Sequence, residues 1–108
     1  MCGIAGVIAF DQTSAGIDDE VRAATASLAH RGPGGEGVLQ RERVWLGHRY
    51  LPIMDPGHGL QPMHRGDSLS LVFNGEIYNA PDLRRELEAQ GHHFTTRTDT
   101  EVVLAAYQ

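Results

Sequence analysis

The sequence contains one cysteine, no long apolar run and no excess of positive charge, and each of these shortages excludes a class of protein. A single cysteine, Cys2, cannot build an intramolecular disulfide framework. No apolar run approaches the roughly 20 residues of a membrane span, and no basic region precedes the apolar start as in a secretory signal. The formal net charge of −5 argues against a general affinity for nucleic acid or anionic membranes. We therefore expect a cytoplasmic protein whose partner is a small molecule or another protein.

The chain alternates predicted strands and helices, which indicates a single α+β domain at a length of 108 residues. Residues 3 to 10 form an apolar run that predicts a buried strand. Helical spacing after Asp18 and Asp19 predicts a helix that includes Leu28 and ends at the Gly-Pro pair of residues 32 and 33. The sequence has no internal repeat or linker, so no domain boundary is placed within it.

The middle of the chain is predicted to consist of two loops, each followed by a strand. The glycines and proline of GPGGEG, residues 32 to 37, predict a loop before VWLGH, which alternates like a strand. The segment LPIMDPGHGLQP, residues 51 to 62, predicts a second loop region. It precedes the strand-like SLSLVF, residues 68 to 73.

Two helices are predicted in the last third of the chain. The first is capped by Asn79 and ends at Gly91. The second begins at Thr98, where TDTE has the spacing of a capping box between Thr98 and Glu101. This helix reaches the last residue without a stop signal, so we expect the natural chain to continue.

Cys2 is followed by glycine and lies next to the initiator methionine. Removal of Met1 would place the thiol and a free α-amine on the same residue. Such an amine has a reference pKa near 8, so a fraction of it is unprotonated at neutral pH and can accept the thiol proton. On position alone, the structural interpretation is favoured, because free cysteine is among the most buried residue types and Cys2 begins a predicted buried strand.

The stretch LVFNGEIYN, residues 71 to 79, also has two interpretations. Asn-Gly between apolar runs is the strongest short signal for a tight hairpin. Alternatively, the side-chain amide of Asn74 and the backbone N–H of Gly75 are the two donors that an oxyanion would need after a thiolate attacks an amide. Glu76 adds a carboxylate beside them.

Several segments in the same order favour the catalytic interpretation. They are MCGIAGV at the start, HRGP at 30 to 33, GHRYLPIMD at 47 to 55, NGEIYN at 74 to 79 and TDTE at 98 to 101. Together they resemble the class II glutamine amidotransferase domain of glutamine-hydrolysing asparagine synthetases. The residues of GHRYLPIMD and NGEIYN are more similar to those of this branch than to those of the hexosamine-forming and purine-forming amidotransferases.

The resemblance implies an amine-terminal nucleophile hydrolase fold, a four-layer αββα sandwich, and L-glutamine as substrate. In this resemblance Cys2 matches the nucleophile, and Asn74 and Gly75 match the oxyanion hole. The substrate-binding positions of the family correspond to Arg49, Leu51, Pro52, Ile53, Glu76 and Asp99. Of these, Arg49 matches the residue that binds the α-carboxylate, and Asp99 is the natural partner of the α-ammonium.

Structural interpretations of the same residues remain open. Without the motif, Arg49 would be a surface residue at a strand end, and Asp99 would stabilise the first turn of a helix. Tyr78 and Asn79 are predicted to be packing and cap residues. The adjacent histidines 92 and 93 are predicted to point to opposite faces of a strand, and no cluster has ligand spacing. We therefore expect no metal site.

The sequence departs from the family in two ways. Gly34 stands where the family usually has aspartate after HRGP, which predicts a differently ordered loop near the nucleophile. In addition, residues 1 to 108 correspond only to the N-terminal half of the family's glutaminase domain. The missing part would include the synthetase domain, with which we associate ATP, magnesium and, in the full-length protein, a homodimer.

Three functional hypotheses follow from these residues. The favoured one is a glutaminase segment that supplies ammonia for asparagine synthesis or for the amidation of another carboxylate. The second is a catalytically silent glutamine-binding module, and the third is a product that does not fold. The complete set of catalytic residue types favours the first.

Overall fold

The computed structural model describes residues 2–11, 15–51 and 59–108. These residues form a mixed α/β structure, as the sequence predicts. The elements in chain order are β1 (Gly3–Ile8), α1 (Ile17–Ala26), β2 (Gly35–Arg41), β3 (Val44–Tyr50), β4 (Met63–Arg65), β5 (Leu69–Leu71), α2 (Ala80–Ala89) and α3 (Asp99–Tyr107).

The larger sheet is antiparallel and has the order β1–β3–β2, with β3 in the centre. Helix α1 packs against all three strands. The core on this face contains Val21 from the helix and Trp45 from β3, with Ala9 just after β1. Alternation along the strands brings Val7 and Val38 to the same core, because side chains two residues apart share a face.

The smaller sheet is the antiparallel pair β4–β5, and helix α3 packs against both of its strands and against α2. Helix α2 ends at Ala89, just before the predicted stop at Gly91, whose φ of 97° is a left-handed conformation that favours glycine. The backbone N–H of His92 returns to the carbonyl of Leu87, which satisfies one of the final carbonyls of the helix.

Two predictions in the first half of the chain need correction. Helix α1 ends at Ala26, and residues 27 to 31 form turns, so Leu28 is not helical. Gly35 and Gly37, predicted to lie in a loop, belong to β2. The glycine-rich composition misled the loop prediction: a Cβ at Gly37 would collide with the backbone carbonyl oxygen of Gln61, so glycine allows a close approach within a strand.

The second half also differs from the prediction in several details. Strand β5 stops at Leu71, and β4 was missed altogether. Residues 74 to 79 form no hairpin and instead connect β5 to α2. His92 and His93 lie in the irregular segment after α2, so the predicted strand is wrong. Asn79 is at the cap position of α2, but its side chain makes no capping hydrogen bond.

Within the described ranges, no helix combines the length and the apolar character needed to cross a membrane. The same residues contain no group of three or more histidine, cysteine, aspartate or glutamate side chains placed to hold a metal ion.

Candidate active site

A cavity of about 450 Å³ lies where the start of β1, the end of β3, the segment before α2 and the start of α3 meet. This volume suits a small-molecule ligand. The described lining includes most of the sequence-predicted site residues, namely Cys2, Leu51, Asn74, Gly75, Glu76 and Asp99. The fold therefore brings together residues that are up to 97 positions apart in the chain (from 2 to 99).

Cys2 reaches the cavity because the pairing of β1 with β3 places it beside the end of β3. In the register of this pair, Gly3 lies opposite Arg49. The backbone N–H of Leu51 donates to the Cys2 sulfur at 3.3 Å. The carbonyl of Cys2 accepts a hydrogen bond from Nε of Arg31 at 3.2 Å. These contacts hold the thiol at the cavity wall.

Asn74 and Gly75 lie in the connection from β5 to α2 and are exposed. Side chains from elsewhere hold this connection at both ends. The N–H of Phe73 donates to Oε1 of Gln61 at 2.5 Å, and the N–H of Ile77 donates to Oδ2 of Asp99 at 2.9 Å. The segment that carries the Asn74 and Gly75 donors is therefore held by a hydrogen bond at each of its ends.

Asp99 occupies the first turn of α3, where the positive end of the helix dipole favours a carboxylate. The Oγ1 of Thr98 caps this helix by accepting the N–H of Glu101 at 3.4 Å. Arg84 of α2 donates to the carbonyls of Thr96 and Thr98 at 2.9 and 3.1 Å. Helix α2 and the cap thus set the position of Asp99 in the cavity.

Arg49 lies outside the described lining of this cavity. Its Nε donates to the carbonyl oxygen of Gly32 at 2.8 Å, and its Nη1 donates to the carboxylate of Glu36 at 3.3 Å. The guanidinium is therefore engaged by β2 and the turn before it. Binding of a substrate carboxylate by Arg49 stays a prediction.

Two further predicted positions, Pro52 and Ile53, lie outside the described residues, as does Met1. Their predicted roles therefore stay predictions. Leu51, which precedes them, is described and contacts the cavity.

The sequence interpretation missed several residues of the cavity wall. These are Tyr50, Gly59, Gln61, Phe73, Thr98 and Thr100. Tyr78, predicted to be a packing residue, also lines the cavity and is 91% exposed, so that prediction is wrong. A glutamine in a glycine- and proline-rich segment has no local signature, so nothing in the sequence pattern could have singled out Gln61.

His48 is fully buried on β3, and its neighbours include Tyr50. Burial lowers the pKa of this histidine below its ordinary value, and the backbone of Phe73 opposes that effect by favouring the charged ring. Burial therefore disfavours the charged imidazolium relative to the neutral ring. His48 is not among the described lining residues, but its ring lies beside that of Tyr50, which is.

Comparison with known proteins gives a consistent result. A family model described as a glutamine amidotransferase domain matches residues 1–108. The chain is 39% identical over 110 residues to the glutamine-hydrolyzing asparagine synthetase 3 of Bacillus subtilis (strain 168), covering 99% of this chain and 18% of that protein. Identity with the corresponding synthetase 1 of the same strain is 40% over 111 residues, with 100% and 18% coverage. For the enzyme of Asparagus officinalis it is 38% over 109 residues, again with 100% and 18% coverage. The chain thus spans 18% of the length of these relatives.

Proposed function

This chain belongs to the glutamine amidotransferase domain family, and from that premise we propose that it hydrolyses the side-chain amide of L-glutamine to glutamate and ammonia. The observation that carries the proposal is the cavity itself. It joins the only thiol of the chain to the Asn74–Gly75 pair and to a buried carboxylate, that of Asp99.

In the proposed reaction, removal of Met1 leaves Cys2 with a free α-amine, which accepts the thiol proton. The sulfur attacks the side-chain carbonyl carbon of glutamine, and the negative charge moves to the carbonyl oxygen. The amide of Asn74 and the N–H of Gly75 stabilise this oxyanion, and each such donor is worth roughly 100-fold to 1000-fold in rate.

Collapse of the intermediate breaks the C–N bond and leaves a thioester between Cys2 and the glutamyl group. The departing nitrogen takes the proton held by the α-amine and leaves as ammonia. A water molecule then attacks the thioester, again through an oxyanion, and releases glutamate with the thiol restored.

The substrate's polar ends need partners of opposite charge. We assign the α-ammonium to Asp99, which has a second carboxylate oxygen besides the one that accepts the Ile77 N–H. Glu76 lines the same cavity and assists. The α-carboxylate is assigned to Arg49, which requires its guanidinium to exchange the Glu36 contact for the substrate. We also assign substrate binding to Leu51, which lines the cavity, and to Pro52 and Ile53, as the family resemblance predicts.

We place this chain in a longer protein that uses the ammonia. The names of its relatives, glutamine-hydrolyzing asparagine synthetases, support asparagine synthesis as that use. We assign ATP and magnesium to a synthetase domain outside residues 1 to 108. We assign the complete glutaminase domain to the four-layer αββα sandwich and the protein to the cytoplasm, with a homodimer as its full-length form. Amidation of a different carboxylate is the alternative, because the acceptor is chosen by that other domain.

The test is an intact mass of the full-length protein before and after incubation with a diazo-ketone analogue of glutamine. We expect loss of the Met1 mass and one adduct, slowed by excess L-glutamine. Cys2→Ala should give no adduct and should lower ammonia release from glutamine by at least about 1000-fold, since the nucleophile is gone.

The control is Glu88→Ala, at an exposed position of α2 outside the described cavity lining, which should keep the wild-type adduct and ammonia release. An adduct that persists in Cys2→Ala would contradict the proposal. Glutamine binding without adduct or ammonia release in the wild type would instead favour the silent glutamine-binding module.

A further inference from the structure

Gln61 is a buried polar residue that no step of the proposed reaction uses. It precedes β4, and only 8% of its surface is exposed. Its backbone lies directly against Gly37 of β2, where a Cβ would strike the Gln61 carbonyl oxygen. The larger sheet therefore packs against the backbone of Gln61, and the side chain of Gln61 lines the cavity.

The side-chain amide of Gln61 makes two hydrogen bonds to different parts of the cavity wall. Its Oε1 accepts the backbone N–H of Phe73 at 2.5 Å, and its Nε2 donates to Oγ1 of Thr100 at 3.3 Å. The Phe73 N–H can only donate, so the oxygen of the amide has to face it. This leaves the NH₂ group for Thr100 and defines one orientation of the side chain.

These contacts connect the segment of the two oxyanion donors to the helix that carries Asp99. Phe73 directly precedes Asn74, and Thr100 directly follows Asp99. Asp99 holds the other end of the same segment through the Ile77 N–H. The connection 73–77 is thus anchored at both ends to the start of α3, once through Gln61 and once directly.

We propose that Gln61 is a positioning residue for glutamine hydrolysis, a role that rests on the proposed function. By fixing the Phe73 backbone, it sets where the Asn74 amide and the Gly75 N–H point relative to the Cys2 sulfur. The two donors are exposed and lie outside regular secondary structure, so they depend on such anchors for their geometry. Oxyanion donors act only when they lie within hydrogen-bond reach of the charge that develops in the transition state.

The experiment compares glutaminase kinetics of the full-length wild type with Gln61→Leu, Gln61→Glu and Thr100→Val. Gln61→Leu removes both hydrogen bonds at similar volume. Gln61→Glu keeps a carboxylate oxygen that accepts the Phe73 N–H, and its other oxygen can accept the Thr100 hydroxyl. Thr100→Val removes only the hydrogen bond between Gln61 and Thr100. Gln90→Leu, at the exposed end of α2, is the matched control for a glutamine-to-leucine change.

We expect Gln61→Leu to lower kcat by about 10-fold to 100-fold, part of the effect of losing an oxyanion donor. The KM for glutamine should change less than about threefold, because the substrate's charged ends bind elsewhere. Gln61→Glu should recover most of the loss, and Thr100→Val should be intermediate. Alkylation of Cys2 by iodoacetamide, which needs no oxyanion hole, should keep its wild-type rate in every variant.

Hydrogen exchange supplies a readout independent of activity. The Phe73 amide should exchange faster in Gln61→Leu and at the wild-type rate in Gln90→Leu. If Gln61→Leu fails to fold, Thr100→Val decides by the same split between kcat and KM.

If the wild type hydrolyses glutamine and Gln61→Leu has the same kcat as the wild type, this inference is overturned and the proposed function stands. A loss confined to KM would also overturn it. A wild type that releases no ammonia would overturn the proposed function and the catalytic role of Gln61 with it, whereas hydrogen exchange would still decide whether Gln61 holds the segment.

Discussion

His48 illustrates at the scale of one residue how the centre of the sheet restricts protonation. It lies on β3 between Ile4 of β1 and Gly37 of β2. Its side chain is fully buried, and the backbone of Phe73 is the polar group that acts on the ring and favours its charged form. Burial outweighs this effect and lowers the pKa of His48 below its ordinary value in the folded protein.

This lowered pKa predicts that stability falls with pH below the ordinary histidine value of 6.5. Above that value, His48 is neutral in both states. As pH falls below it, the unfolded chain takes up the proton first, so the free energy of unfolding decreases by at most about 1.4 kcal/mol per pH unit until the folded-state pKa is reached.

Urea unfolding between pH 7.5 and 5.5 measures this slope, and His48→Leu should flatten it. His30→Leu, at an exposed histidine, controls for the substitution itself. An equal slope in the wild type and His48→Leu would assign the pH dependence to other groups.

At the scale of an element, the start of α3 depends on one glutamate. The carboxylate of Glu101 accepts the backbone N–H groups of Thr95 at 2.9 Å and Thr96 at 2.7 Å, and both threonine hydroxyls as well. Arg65 lies 3.8 Å from the same carboxylate. Burial alone would raise the pKa of Glu101, but the hydrogen bonds together outweigh it and lower the pKa.

Glu101→Gln should therefore destabilise the protein by about 2 kcal/mol, because hydrogen bonds to a charged group are lost or weakened inside a buried cluster. The contribution of the carboxylate is present above its ordinary pKa of 4.5 and is lost as pH falls through the lower folded-state value. The difference between wild type and variant should hence shrink at low pH.

Thermal and urea unfolding at pH 7 and in the acid range measure both effects. Glu88→Gln, at an exposed position of α2, is the matched control. A Glu101→Gln protein as stable as the wild type at neutral pH would show that the cluster contributes little.

At the scale of the whole molecule, the two faces of the larger sheet differ. Helix α1 covers one face, to which Val7 contributes. Ile4 and Ile8 alternate with it and so lie on the opposite face, where they remain 49% and 58% exposed. An exposed apolar surface on a terminal strand of a sheet favours association between chains.

We expect the isolated 108-residue chain to self-associate at micromolar concentration. Ile8→Lys should reduce this association, because it places a charge on the exposed apolar face. Sedimentation velocity over a concentration series is the measurement, and Gln40→Lys, which adds the same charge at an exposed position of β2, is the control. A monomeric wild type at every concentration would contradict the expectation.

Local sequence patterns determined much of this structure. Apolar alternation identified β3, the Thr98 cap identified the start of α3, and Gly91 identified the end of α2. These signals depend only on neighbours within a few residues, so the sequence carries them. The motifs around Cys2 and Asn74 also identified the family, which the comparison confirms.

Only the tertiary structure decided the rest. Gly37 belongs to a strand because it pairs with His48 of β3, and it is a glycine because the Gln61 backbone packs against it. The Asn74–Gly75 pair forms no hairpin because Gln61 and Asp99 hold its flanking amides. The partners of the Arg49 guanidinium likewise come from β2 and the turn before it. Each of these outcomes depends on contacts between distant segments, which no local pattern of side chains encodes.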